Sequence, residues 1–211
     1  MHTHLDTDSS RMDNPTLAYP IGDNLYLNIT DRCTLRCGFC PKHAAQPWVR
    51  GYDLSLRARP RLNDIIAALG DPARYSEIVF CGFGEPTLRL KLLLEVSDYV
   101  QSRRGRVRIN TDGLANLVHK RNVLPEFSGR VDALSVSMNA QNETLYNRHC
   151  RPALRGSYQA MLSFLEQAPR YVGEVTATAI DGLEGVDIGA CRRLAMERGV
   201  QFRRRVLDVV G

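Results

Sequence analysis

Three of the six cysteines, Cys33, Cys37 and Cys40, fall within a single short stretch. Thiolates spaced C-x3-C-x2-C can converge on one metal centre, because a short loop can wrap around it. Two chemistries fit this spacing. A [4Fe–4S] cube normally takes four cysteines, so three would leave one iron open to a small molecule. With His43 the same loop offers a Cys3His set for structural zinc. Both metals accept thiolates, and spacing alone leaves both readings open. Cys81 and Cys191 read as small buried hydrophobes, the common state of a free cysteine. Cys150, at the end of a helical segment, reads as inert or as a hydrogen donor.

Three further places carry chemistry. Gly82-Phe83-Gly84-Glu85-Pro86 is a glycine-rich turn with one acid, where missing Cβ atoms let backbone approach a ligand closely. In Thr111-Asp112-Gly113, Asp112 is either an ordinary turn aspartate or an acceptor for ribose hydroxyls at a strand end. Ser135 and Ser137 share one face of a strand by its period of two, and Asn139 continues that face. A zinc knuckle at Cys33–Cys40 accounts for none of these distant features.

The elements that must position these residues alternate. NLYLNIT, EIVF, RVRINT, VDALSVSM, EVTATAI and QFRRRVLDV read as strands, and most are followed by an apolar-periodic helical segment. Six strand–helix alternations favour a parallel sheet in an α/β domain. They are too few for a closed eight-fold barrel. A partial, laterally open barrel and a flat doubly wound sheet both fit. In either, ligands gather at the carboxyl ends of the strands, where all four chemical features fall. Residues 1–22 read as a polar, flexible arm and 23–211 as one core domain. His2-Thr3-His4-Leu5-Asp6 in that arm resembles the opening of TatD-type hydrolases, but two ligands make an incomplete metal site.

Composition narrows the setting. With 211 residues, 44% hydrophobic and 24% charged, the chain reads as one globular domain with no spanning helix or signal segment, which predicts a cytoplasmic protein that does not engage membranes. The net charge of +5 comes from a basic set that is nearly all arginine, with only Lys42, Lys91 and Lys120 as lysines. Such modest charge speaks to solubility and steering and does not by itself indicate nucleic acid.

Together the motifs carry a resemblance. Cys33-Thr34-Leu35-Arg36-Cys37-Gly38-Phe39-Cys40 resembles the cluster loop of the radical S-adenosylmethionine (SAM) superfamily, including the aromatic before the last cysteine. Gly82-Phe83-Gly84-Glu85-Pro86 is similar to that family's Gly-Gly-Glu-Pro motif, with Phe83 in place of a glycine. Thr111-Asp112-Gly113 is similar to its Thr-Asn-Gly motif. Within the superfamily the stretches LNITDRCTLRCGFCPK, RGYDL, CGFGEPTLR and SVSMNAQNETLYNRHCRP are most similar to TatD-associated radical SAM proteins.

The resemblance implies a partial, laterally open (β/α)6 barrel. It also implies a [4Fe–4S] cluster on Cys33, Cys37 and Cys40, and SAM bound by Phe39, Gly82, Phe83, Gly84, Glu85, Thr111, Asp112, Ser137 and Asn139. The implied reaction is reductive cleavage of SAM to a 5′-deoxyadenosyl radical that abstracts hydrogen from a substrate. An electron donor such as flavodoxin or ferredoxin is implied as partner. The substrate is open, macromolecular or small, with Tyr146, His149, Cys150, Arg151, Arg203 and Arg205 as candidate contacts. The alternative is a non-enzymatic zinc or Fe–S adaptor.

Overall fold

The computed structural model describes residues 15–43 and 48–207. The chain enters through a hairpin, β1 (Ala18–Ile21) and β2 (Asn24–Leu27), turning at Gly22, whose φ of 58° suits glycine. The cysteine loop follows. A small antiparallel pair, β3 (Trp48–Val49) and β4 (Tyr52–Asp53), comes before α1 (Leu62–Leu69). Then come β5 (Glu77–Phe80), α2 (Leu90–Ser102), β6 (Val107–Thr111), α3 (Ala115–His119) and β7 (Ala133–Ser137). The chain continues through α4 (Glu143–Cys150), α5 (Ser157–Gln167), β8 (Glu174–Asp181), α6 (Ile188–Met196) and β9 (Gln201–Val206).

The main sheet runs β1-β2-β5-β6-β7-β8-β9, with every pair from β2 onward parallel. Consecutive strands are neighbours and the order never reverses. Because crossovers are right-handed, such an order places every helix on one face. A doubly wound sheet needs a reversal, so the structure selects the open, singly wound barrel form. One core joins the two layers: Leu27, Phe80, Ile109, Val136 and Ala177 from the strands meet Leu93, Val96, Phe164 and Cys191 from the helices. Full burial of each large apolar side chain stabilises by about 1.5–3 kcal/mol.

The strand pattern decides which residues face away from the helices. Leu25, Leu27 and Ile29 point into the core, so Tyr26 and Asn28 point to the helix-free face. Val107 and Ile109 do the same for Arg108 and Asn110. That second face is polar apart from a small apolar cluster of Tyr19, Val49, Leu54 and Phe83.

The fold begins earlier than the polarity of residues 1–22 implies. Ala18–Ile21 is an edge strand because Tyr19 is buried and its hydroxyl donates to the Cys81 carbonyl at 3.0 Å. His2 and His4 lie outside the described residues. Among the described residues, no helix is long and apolar enough to cross a membrane.

Candidate cofactor site at the carboxyl edge of the sheet

The cysteine loop leaves β2 at the carboxyl edge and is strapped to the end of α4. Arg36 N donates to the Cys150 carbonyl at 3.0 Å, Gly38 N to the His149 carbonyl at 3.0 Å, and Ala153 N to the Thr34 carbonyl at 3.0 Å. Asn142 caps α4 through Leu145 N, and Arg151 ends the helix in the left-handed region at φ 47°. The strap thus rests on a capped, well-terminated helix.

None of the three loop cysteines is in a disulfide, and Cys33 is exposed as a residue. Burial of its sulfur, with the Asp112 and Glu85 carboxylates nearby, pushes its thiol up to about 12. Leu35 N donates to Cys33 Sγ at 3.4 Å, a contact that also suits a thiolate. Among the described residues, no three His, Cys, Asp or Glu side chains gather around one metal-ion position. His43, the fourth ligand that a closed Cys3His zinc would need, is exposed.

The turn after β5 packs directly on the loop's entry. A Cβ on Gly84 would lie 2.5 Å from the carbonyl oxygens of Thr30 and Arg32, and one on Gly82 would lie 2.1 Å from Asn28 Oδ1. Both glycines are therefore demanded by chain-on-chain contact. Phe83 is buried in the apolar cluster on the helix-free face, beneath the turn. Phe39 is half-buried against the main core.

Glu85 is buried and fully engaged. Its Oε1 accepts from Thr87 N at 3.0 Å, Thr87 Oγ1 at 2.6 Å and Thr111 Oγ1 at 2.8 Å, and its Oε2 accepts from Asp112 N at 2.7 Å. Asp112 is buried as well, accepting from Leu114 N at 2.9 Å and from the Thr34 hydroxyl. Burial and the neighbouring Asp112 push the Glu85 carboxyl up to about 8, and burial raises that of Asp112. These bonds tie the ends of β5 and β6 to the residue after Cys33.

Beyond β7, Asn139 is buried in the left-handed region at φ 60°, its amide pointing to Cys150 Sγ at 3.5 Å. Cys37 lies close enough to Cys150 for the two thiols to interact, which lowers the Cys150 pKa and raises that of Cys37. Asn139 Oδ1 and the Tyr146 hydroxyl are buried without a partner beside these sulfurs. Buried polar atoms in native proteins are nearly always paired, so the two orphans leave hydrogen-bonding capacity unused beside the sulfurs. Ser137 is half-buried on the same edge, next to Thr178 in register.

Thr34 and Asn28 are parts of this assembly that the motifs did not single out as site residues, and Tyr146, expected as a substrate contact, is buried beside the sulfurs. For Asn28 a signal existed: it breaks an otherwise apolar strand end, Leu27 to Ile29. His149 instead turns outward, its ring nitrogen meeting the Glu184 carbonyl at 2.8 Å.

Comparison with known proteins agrees with this architecture. A model of the radical SAM superfamily matches residues 27–195. Among solved structures, the chain is similar to TYW1 with a lysine–pyruvate adduct bound (14% identity, TM-score 0.61, covering 89% of this chain and 66% of that one). It is similar to Streptococcus suis SuiB bound to S-adenosylmethionine (13%, TM-score 0.62, 88% and 38%). It is also similar to the FeFe-hydrogenase maturase HydG from Carboxydothermus hydrogenoformans (16%, TM-score 0.59, 88% and 44%). At these identities the likeness is one of fold, and the chain spans less than two thirds of each of these proteins. No curated protein matches the sequence. The family match covers most of the chain, including every strand-end motif just described, and the chain belongs to the radical SAM superfamily, enzymes built on SAM and a [4Fe–4S] cluster.

Proposed function

We propose that this chain is a radical SAM enzyme of the TatD-associated type, with its catalytic unit in the core domain after the N-terminal arm. Cys33, Cys37 and Cys40 would hold the cluster, and a set of only three protein thiolates would leave it able to take SAM. When bound, the pair supplies one-electron cleavage of SAM to methionine and a 5′-deoxyadenosyl radical, which takes hydrogen from the substrate.

The chain's own residues bind and orient. Backbone carbonyls of residues 82–85 accept from the methionine ammonium, while Glu85, its oxygens already engaged, keeps that turn in place. Asp112 has lone pairs left for the ribose hydroxyls, and Thr111 fixes its approach through Glu85. Ser137 and Asn139 reach the carboxylate or ribose, and Phe39 packs near the adenine. An electron arrives from a flavodoxin- or ferredoxin-like donor at the exposed loop, in a cytoplasmic setting.

The observation that carries this reading is that two sets of contacts reach from the cysteine loop to the other strand ends. One joins the loop at Thr34 to Asp112 and Glu85, while in the other Cys37 connects through Cys150 to Asn139. The test is anaerobic reconstitution with iron and sulfide, then reduction in the presence of SAM. The expected result is cluster absorbance and release of 5′-deoxyadenosine, both abolished by Cys37→Ala. A reconstituted protein without cluster absorbance, or with intact SAM after reduction, would overturn it.

A further inference from the structure

The helix-free face beneath the carboxyl edge is lined by polar and charged side chains, unlike the apolar packed interior of a closed eight-stranded barrel. Here β6 contributes Arg108 and Asn110, β7 Ser135, and β9 Arg203 and Arg205, all on alternate positions that point away from the helices. Arg203 Nη2 donates to Ser135 Oγ at 3.2 Å, which brings β9 over β7. Tyr26 on β2 lies in the field of both Arg108 and Arg203, so the sheet curls enough to face its first parallel strand toward its last.

The charges on this face do not balance. Glu77 is shared: its Oε2 meets Arg108 Nη2 at 2.9 Å and its Oε1 meets Arg106 Nε at 3.1 Å. Arg106 also holds Glu174 at 2.7 Å. No acidic side chain pairs with Arg203 or Arg205 among the described residues, whereas Arg204, on the opposite face, pairs with Asp181. Burial and the repulsion of Arg108 and Arg205 lower the Arg203 pKa. Arg108 Nε and Asn110 Oδ1 are buried with no hydrogen-bond partner. A buried, unpartnered donor on Arg108, in the field of two guanidinium groups that pair with no acid (Arg203 exposed, Arg205 half-buried), makes a surface suited to an anion that presents oxygen acceptors.

We propose that Arg108, Arg203 and Arg205 anchor an anionic group of the substrate, a carboxylate or a phosphate, with Ser135 and Asn110 completing its polar surround. The assignment rests on the radical SAM reading only for calling the ligand a substrate. The position suits that role. Arg203 is in register with Thr178, and Thr178 with Ser137 at the cofactor edge, so an anion held here would extend the rest of its molecule toward that edge. Arginine's planar fork suits both carboxylate and phosphate, so the shared chemistry is a small oxyanion on a larger molecule.

The experiment titrates inorganic phosphate and malonate by calorimetry into the full-length chain, first as isolated and then reconstituted with cluster and SAM. The expected result is saturable binding of at least one probe in both states, with the stronger probe naming the source as phosphate or carboxylate. Arg203→Gln and Arg205→Gln should each weaken it about tenfold or more, the scale of a lost charge-assisted hydrogen bond. Arg204→Gln should leave it unchanged. Melting curves confirm that each variant is folded. Absence of binding to wild type, equal affinity in Arg203→Gln, or displacement of the probe by SAM would overturn the assignment. The last outcome would hand the arginines to the SAM carboxylate. SAM cleavage is scored separately: cleavage without anion binding removes only this inference, and anion binding without cleavage removes only the radical SAM reading.

Discussion

The backbone amide of Asp112 donates to Glu85 Oε2 at 2.7 Å, joining two buried acids that stand at the ends of adjacent parallel strands. Glu85 takes three more hydrogen bonds on its other oxygen, from Thr87 and Thr111. Two carboxyls this close and this buried do not both ionise readily, so the pair holds a proton toward neutral pH. The acid of the glycine-rich turn is thus first a brace between strand ends, and the cofactor surface is built upon it.

That brace makes the cluster-free chain sensitive to pH. The Glu85 carboxyl is raised from the ordinary 4.5 to about 8. A raised carboxyl favours the folded state while protonated, so its contribution is complete below pH 4.5 and is lost as pH climbs through about 8. Urea midpoints of wild type should therefore fall from pH 5 to pH 8 more steeply than those of Glu85→Gln, which stays neutral throughout. Equal slopes in the two proteins would show that Glu85 ionises normally.

Gly84→Ala should separate the fold from the cofactor. The new Cβ would stand 2.5 Å from the Thr30 and Arg32 carbonyl oxygens, which are backbone and cannot swing away. The loop carrying Cys33 must shift, while the core of β5 and α2 lies elsewhere. Far-UV circular dichroism should be native, with a stability loss of about 1–3 kcal/mol typical of overpacking. Iron retained after reconstitution should drop several-fold. Full iron content would mean that the loop and turn move independently.

Cys37 and Cys150 should cross-link in the cluster-free protein. Their thiols lie close enough to interact, and the loop is strapped to the end of α4 by Arg36 N on the Cys150 carbonyl. Diamide, a two-electron oxidant that accepts both thiol hydrogens, should join them as one disulfide. Peptide mass mapping should find that linkage ahead of Cys33–Cys40, and prior cluster assembly should suppress it. A Cys33–Cys40 product in its place would contradict the contact.

Much of this protein is legible without coordinates. Alternation in NLYLNIT, RVRINT and VDALSVSM announces strands because side chains change face at every residue, and each strand ends where its chemistry begins. The cysteine spacing, the glycine-rich turn and Thr111-Asp112-Gly113 all arise from local chain geometry, which a short window of residues contains. The edge strand Ala18–Ile21 was hidden because only pairing with β2 gives its polar surroundings a strand.

What the tertiary structure alone decided is which of these pieces touch. Thr34 meets Asp112, Gly82 presses on Asn28, and Cys150 sits against Cys37, contacts between segments far apart in the chain. No local periodicity encodes them, because they depend on strand register and on how strongly the sheet curls. The same curl brings Arg108, Arg203 and Arg205 from separate strands within electrostatic reach of one another. Three closely spaced cysteines state that a metal centre is possible; only the packing of four strand ends around them makes a site in which it can act.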